Sequence, residues 1–249
     1  MLQKKNIKKL IIGLVIVGLV FIIANYITYE RQPLPQAITA LESDNAVTIT
    51  DNPWLTFTPN TPALEIGFIF YPGGRISHLG YSDLMRKISE KGYLVVVPKM
   101  PINMAIFNPN IANKIIAAHP EINKWVIGGH SVGGTAATIF TAAHPEKIDG
   151  LAIWSSYPNN SSDLSRLTIP TILMYGGNET GVTDESVGER KHLLPPNSLY
   201  IKIEGGDHHQ FGSYQLTNEV NLATISLEEQ HMQILSAMFG LLKSVEERR

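Results

Sequence analysis

The chain has 249 residues, of which 44% are hydrophobic and 17% charged, and its net charge is −2. This composition predicts one globular domain with a large buried core, and it excludes a disordered or low-complexity chain. The absence of cysteine excludes disulfides, cysteine-based zinc sites and a thiol nucleophile. Basic residues are concentrated in residues 1–31, so the rest of the chain lacks the basic stripe that nucleic-acid binding requires.

The N-terminus carries an apolar run, Leu10–Ala24, directly after four lysines. As a helix extended to Tyr29, this segment would span about 30 Å, enough for the core of a bilayer. We expect residues 1–31 to be a single-pass membrane anchor whose lysines keep the N-terminus cytoplasmic, which places the remainder on the outer side of the cell membrane. A cleaved signal peptide is the alternative, because the strictly apolar run is short. Residues 32–45 are predicted to be a linker to a domain at residues 46–249.

Apolar segments alternate with segments of helical periodicity through this domain. Eight strands are predicted, at Val47–Thr50, Trp54–Thr58, Ile66–Tyr71, Leu94–Val97, Lys124–Gly128, Leu151–Trp154, Thr171–Tyr175 and Ser198–Ile203. Helices are predicted at residues 81–91, 110–118, 133–143 and 226–245. Apolar strands that are separated by helices predict an α/β fold, with a mostly parallel central sheet that is covered by helices on both faces.

A candidate nucleophile lies between the fifth predicted strand and the helix that follows. Residues 129–133 read Gly-His-Ser-Val-Gly, the G-x-S-x-G pattern of a nucleophile elbow. In such a turn, one residue takes a strained backbone conformation and its side chain projects above the sheet edge. Ser131 is the predicted nucleophile, because the glycines on either side avoid collisions in so tight a turn. The alternative is a glycine-rich packing turn with a solvated serine.

A serine hydroxyl needs a neighbouring imidazole to act as a nucleophile, and the imidazole needs an acid to orient it. In chains with this elbow, the acid and then the histidine follow the serine, on loops after later strands. The loop after the last predicted strand offers His208 and His209 as the base. The loop after Thr171–Tyr175 offers two acids, and Glu179 is preferred to Asp184 because it lies nearer the strand end. Asp184 follows a threonine and could instead open the next helix.

Attack by a serine on an acyl carbonyl creates an oxyanion, which needs two hydrogen-bond donors. We expect the first to be the backbone N–H of Val132, the residue after the nucleophile. The second should come from the loop after the third strand, where residues 71–75 read Tyr-Pro-Gly-Gly-Arg. The Gly74 N–H is the preferred donor, and the Arg75 N–H is the alternative.

Three motifs together resemble those of the α/β-hydrolase superfamily, and more narrowly those of its small, often membrane-anchored bacterial members. They are Phe70–Gly73 (FYPG), Gly128–Gly134 (GGHSVGG) and Gly205–Tyr214 (GGDHHQFGSY). The resemblance covers about residues 46–245. It implies a triad of Ser131, His208 and an acid, favours His208 over His209, and implies no dissociable cofactor. The superfamily usually has aspartate where this chain offers Glu179.

The resemblance implies a membrane-anchored serine hydrolase that cleaves a small-molecule carboxylic ester or related acyl compound through an acyl-enzyme. No large lid is expected, because superfamily lids are usually inserted in a connection that is here only residues 155–170. An acyltransferase with the same triad is one alternative, and a membrane-tethered binding module without the chemistry is another. No metal is expected, since adjacent histidines diverge and no HExxH spacing occurs.

Overall fold

The computed structural model describes residues 12–20, 29–60, 64–217 and 220–248. The chain divides into two units, residues 1–30 and residues 31–249. In the first unit, residues 12–20 form an α-helix whose apolar side chains are exposed. None of the helices in the described ranges has both the length and the apolar character needed to cross a bilayer. The rest of the predicted anchor lies almost entirely outside the described residues, so the anchor stays a prediction.

One eight-stranded sheet forms the centre of the second unit, counted over its described residues. In chain order the strands are β1 (Val47–Asp51), β2 (Leu55–Pro59), β3 (Ile66–Tyr71), β4 (Leu94–Val97), β5 (Lys124–His130), β6 (Gly150–Trp154), β7 (Thr171–Gly176) and β8 (Leu199–Ile203). Their order across the sheet is β1-β2-β4-β3-β5-β6-β7-β8. The β1–β2 and β2–β4 pairs are antiparallel, and the other pairs are parallel. The prediction of a mostly parallel sheet is therefore confirmed.

Helices cover both faces of this sheet. Within the described residues of the unit they are α1 (Pro35–Thr39), α2 (Ser82–Ser89), α3 (Ile111–Ala118), α4 (Val132–Ala143), α5 (Asp184–Arg190) and α6 (Leu227–Glu247). In β3, Phe68 and Phe70 join the buried core that contains α2 and α6. Ile69 and Tyr71 join the core that contains α3 and α4. Because successive side chains of a strand point to opposite faces, the two cores lie on opposite sides of the sheet, as predicted.

Two α-helices in the described residues of this unit lie outside the four helices for which the sequence predicts bounds. The first, α1, lies within residues 32–45, the predicted linker. Ala37 is completely buried, and the Leu34 N–H donates to the Ser213 carbonyl over 2.9 Å, so this segment packs against the domain instead of spanning a gap. The prolines of this segment favour an extended chain. Whether a short helix with one buried alanine forms depends instead on the surface against which it packs. The second, α5, begins at Asp184 and therefore realises the helix-opening alternative for that residue.

The sheet brings the predicted site residues to one edge. Parallel strands end at the same edge, and the loops after β3, β5, β7 and β8 carry Gly74, Ser131, Glu179 and His208 respectively. The connection from β6 to β7, residues 155–170, contains neither helix nor strand. No inserted lid domain is therefore present in this described connection.

Candidate active site

The turn from β5 to α4 has the geometry of a nucleophile elbow. Ser131 has φ 54° and ψ −125°, a left-handed conformation that is uncommon for a residue with a side chain. Its N–H donates to the carbonyl of Trp154 at the end of β6, over 2.9 Å. A Cβ at residue 133 would lie 2.1 Å from the Tyr71 carbonyl oxygen, so only glycine fits there. Ser131 is partly exposed, which leaves it accessible at the sheet edge.

The two predicted oxyanion donors lie next to each other. Helix α4 begins at Val132, and the Ser131 side chain does not cap it, so the Val132 N–H belongs to the unsatisfied first turn. A Cβ at Gly74 would meet Val132 Cγ1 at 3.1 Å and Met104 Sδ at 2.9 Å. The loop after β3 therefore approaches the start of α4 closely, and it does so at a glycine.

Hydrogen bonds within the loop after β3 decide between its candidate donors. The Gly73 N–H donates to the Tyr81 hydroxyl over 3.0 Å. The Arg75 N–H donates to the Asn103 carbonyl over 2.8 Å, so it is occupied. In the described part of the chain, no acceptor is bonded to the Gly74 N–H. The geometry thus favours Gly74 over the alternative, Arg75.

The predicted base and the preferred acid are in contact. His208 Nδ1 lies 3.0 Å from Glu179 Oε2, and the Glu179 side chain is fully buried. The other carboxylate oxygen, Oε1, accepts the Gly176 N–H over 2.6 Å. Because a carboxylate can only accept, Nδ1 must carry the hydrogen, and the lone pair of the neutral imidazole lies on Nε2. His208 is thereby oriented as a base.

The alternative acid and the alternative histidine lie elsewhere. The Asp184 carboxylate accepts from the Tyr175 hydroxyl over 2.6 Å and pairs with Lys202 over 3.0 Å. The Tyr175 hydroxyl and then Lys202 lower the pKa of Asp184 below its ordinary value. Asp184 is therefore the first residue of α5, and its carboxylate does not orient the imidazole. The His209 ring stands edge-on to His208, with 5.5 Å between ring centroids.

The loop after β8 carries His208 and is called the base loop here. It lies beside the turn from β5 to α4. The His208 ring centroid is 4.6 Å from that of His130, the residue that precedes Ser131. His130 is completely buried and stacks on Phe211, which belongs to the same short turn as His208. His130 is therefore a packed residue of the elbow, and the loop that carries His208 lies against the residue that precedes Ser131.

Sequence reasoning missed two residues of this site. Ser155, directly after β6, places its Oγ between His208 Nδ1 and Glu179 Oε2. The Tyr81 hydroxyl accepts the Gly73 N–H over 3.0 Å and is also hydrogen-bonded to His130 Nδ1 over 2.9 Å. The position of Ser155 after a strand at the catalytic edge was a usable signal, whereas nothing in the sequence pairs Tyr81 with His130.

A separate cavity of about 740 Å³ lies between α1, α2 and α6, away from Ser131. Five of the side chains that line it form ion pairs with each other. Arg86 contacts Asp44 and Glu90, and Asp83 contacts His231. The described residues contain no group of three or more His, Asp or Glu side chains placed to hold a metal ion.

Known proteins share this architecture. A family model described as the alpha/beta hydrolase family matches residues 67–232, two thirds of the chain. A CIB-like hydrolase from Thermoplasma acidophilum is 18% identical, with TM-score 0.60 over 79% of this chain and 99% of that one. Est1E from Butyrivibrio proteoclasticus is 12% identical, with TM-score 0.56 over 78% and 98%. MGS-MChE2, from a lagoon-sediment metagenome from Mar Chica in Morocco, is 17% identical, with TM-score 0.56 over 78% and 97%. No curated protein matches the sequence.

The buried His130 predicts how stability depends on pH. Burial first, and the nearby His208 second, hold the pKa of His130 well below its ordinary value. The unfolded chain protonates this residue near pH 6.5 and the folded chain does not, so its contribution to stability is lost as the pH falls below about 6.5. We expect the free energy of unfolding to fall by up to about 1.4 kcal/mol per pH unit from this residue. Urea unfolding between about pH 7 and pH 5 measures the slope.

His130→Asn keeps an acceptor for the Tyr81 hydroxyl but removes the titrating group, so the slope should become shallower. The control is His192→Gln, at an exposed histidine, which should leave the slope unchanged. An unchanged slope in His130→Asn would contradict a buried neutral His130.

Proposed function

The chain belongs to the alpha/beta hydrolase family, and on that premise we propose that it is a serine hydrolase of carboxylic esters or related acyl compounds. The observation that carries the proposal is the 3.0 Å contact between His208 Nδ1 and Glu179 Oε2 beside the strained turn at Ser131. The substrate in this proposal is a small molecule. Two of the similar structures support it as analogies, since Est1E was solved with ferulic acid bound and MGS-MChE2 is described as an alpha/beta hydrolase enzyme.

In the proposed mechanism, Ser131 Oγ attacks the acyl carbon while His208 Nε2 takes its proton. Glu179 stabilises the imidazolium that forms. The N–H groups of Val132 and Gly74 stabilise the oxyanion of the tetrahedral intermediate. The alcohol then leaves with the proton from Nε2, and the acyl group stays on Ser131. Water attacks this acyl-enzyme with His208 as the base again, which releases the carboxylic acid and restores the serine.

Hydrolysis is preferred to acyl transfer because the nucleophile is open to water. Ser131 is partly exposed, and the 155–170 connection contains no helix or strand. An acyltransferase must exclude water from its acyl-enzyme. A binding module without chemistry does not require the left-handed strain at Ser131 or the buried carboxylate against His208, and both features cost stability.

The nucleophile is tested with a fluorophosphonate probe, which labels activated serines. Wild-type protein should be labelled, and Ser131→Ala should not be. In Ser131→Ala, kcat/KM for an acyl ester should also fall by at least about 1,000-fold, since no other hydroxyl lies in the elbow. Ser161→Ala, at an exposed serine, is the matched control and should behave as wild type. Labelling that survives in Ser131→Ala would overturn the assignment.

The acid is tested by comparing two amide substitutions. Glu179→Gln removes the charge that fixes the Nδ1–H tautomer, so kcat should fall by about 100- to 10,000-fold. Asp184→Asn should keep kcat within about two-fold, because Asp184 contacts Tyr175 and Lys202 instead of the imidazole. The measurement is steady-state hydrolysis of one ester by both variants. A larger loss in Asp184→Asn would reverse the assignment.

We also propose that residues 1–31 anchor the protein in the cell membrane with its catalytic domain on the outer side. The apolar run Leu10–Ala24 and the four lysines before it support this orientation. In cells that express the full chain, the protein should stay in the membrane fraction after alkaline carbonate extraction, and external protease should digest the domain. Release of a shortened soluble chain would show a cleaved signal peptide instead.

A further inference from the structure

We propose that Ser155 is a positioning residue of the triad, whose hydroxyl holds the Glu179 carboxylate and the His208 imidazole in their catalytic alignment. This inference rests on the serine hydrolase function proposed above and deepens it. It makes the acid of this site a pair, a buried glutamate together with a serine from a neighbouring strand end.

Three contacts connect the members of the pair to the imidazole. The Ser155 hydroxyl is hydrogen-bonded to Glu179 Oε2, and its oxygen lies 2.5 Å from His208 Nδ1. His208 Nδ1 is also 3.0 Å from Glu179 Oε2. Ser155 is 1% exposed, so water does not compete for these groups. Each of the three side chains therefore contacts both of the others.

The number of hydrogens in this cluster gives the direction of each hydrogen bond. The carboxylate of Glu179 has no hydrogen, so the Ser155 hydroxyl donates to it. Having used its hydrogen, the Ser155 oxygen can only accept from His208 Nδ1–H. That N–H is thus shared between a neutral oxygen and a charged oxygen. The shared bond keeps the ring plane fixed even when the glutamate, which has one more rotatable bond than aspartate, changes its own angle.

The backbone holds Ser155 in place at some cost. Its φ is 44°, a left-handed value that favours glycine. Its N–H donates to the Met174 carbonyl of β7 over 2.6 Å, which extends the contact between β6 and β7 by one residue. A strained conformation persists only where the surroundings determine it, and here the strain turns the hydroxyl towards the base loop.

The hydroxyl also affects the charge of the cluster. By donating to Glu179 it spreads the negative charge that faces the imidazole. The other titratable groups nearby are His130 and His209, whose rings lie 4.6 and 5.5 Å from that of His208, and Tyr175, which interacts electrostatically with Glu179. Without the serine, the full charge of the carboxylate faces the imidazole and stabilises its protonated form more strongly. The acidic limb of the pH–rate profile should then move to higher pH.

Two substitutions separate the hydroxyl from the backbone. Ser155→Ala and Ser155→Gly both remove the hydroxyl, but only glycine adopts a φ of 44° without strain. In both variants we expect kcat for a water-soluble ester to fall by about 10- to 100-fold, KM to stay within about two-fold and the acidic limb to move to higher pH. Ser156→Ala is the matched control, because its buried hydroxyl contacts Thr135 instead of the triad, and it should keep kcat and the pH profile.

A measurement that does not need turnover separates this inference from the proposed function. In proton NMR of the full chain with nitrogen-15 histidine, the hydrogen-bonded Nδ1–H of His208 should give a far-downfield resonance. The resonance should move further downfield in Ser155→Ala, because the proton then interacts with the carboxylate alone, and it should vanish in Glu179→Gln. If wild type hydrolyses no ester and takes no fluorophosphonate label, yet this resonance responds to Ser155→Ala, the proposed function fails and the positioning role stands.

Two results would overturn the positioning role. One is a Ser155→Ala variant with wild-type kcat, pH profile and Nδ1–H resonance. The other is a loss of kcat in Ser155→Ala that Ser155→Gly restores, because that pattern would assign the effect to the strained backbone and not to the hydroxyl.

Discussion

The main chain at the end of β3 leaves no room for a side chain at residue 133, and the candidate site depends on this close approach. With glycine there, β5 can turn directly into α4, and the turn forces Ser131 into its left-handed conformation. The same turn puts the uncapped first N–H groups of α4 beside the loop that contains Gly74. The candidate nucleophile and both candidate oxyanion donors are thus placed by one contact between two backbone segments.

A second set of contacts joins the loops around that turn. The Tyr81 hydroxyl links the Gly73 N–H to His130, and His130 in turn packs against His208 and Phe211. One buried tyrosine–histidine pair therefore contacts the oxyanion loop, the elbow and the base loop. Because a buried polar group that loses its partner is costly, these loops are expected to hold their positions together.

The predictable parts of the fold are those with a strong local signal. The bounds of β3 and β4 agree with the prediction, because both strands are entirely apolar and each ends directly before a proline. Helix α1 was not predicted, because it is only five residues long and has little local pattern. Its formation depends more on the burial of Ala37. Short helices of this kind gain their stability from the surface on which they pack.

The site divides in the same way. Ser131 lies in a local motif, and order along the chain together with position after strands pointed to Glu179 and to the His208–His209 pair. The family resemblance then favoured His208. Ser155 and Tyr81 contact partners that are distant in sequence. The sequence around a single serine or tyrosine does not indicate which loop that residue will contact. The positive φ of Ser155 in particular is a consequence of the β6–β7 contact and not of its own residue type.

The bare connection between β6 and β7 has a kinetic consequence for the proposed hydrolysis. Because this described connection holds no inserted domain, no lid in that connection has to open before a substrate reaches Ser131. In the proposed reaction, selection among acyl groups then depends on side chains near Gly74, such as Met104, whose Sδ would lie 2.9 Å from a Cβ at that glycine. These side chains would select substrates by their shape. Selectivity would then appear in kcat/KM and would not depend on the rate of a conformational change in the protein.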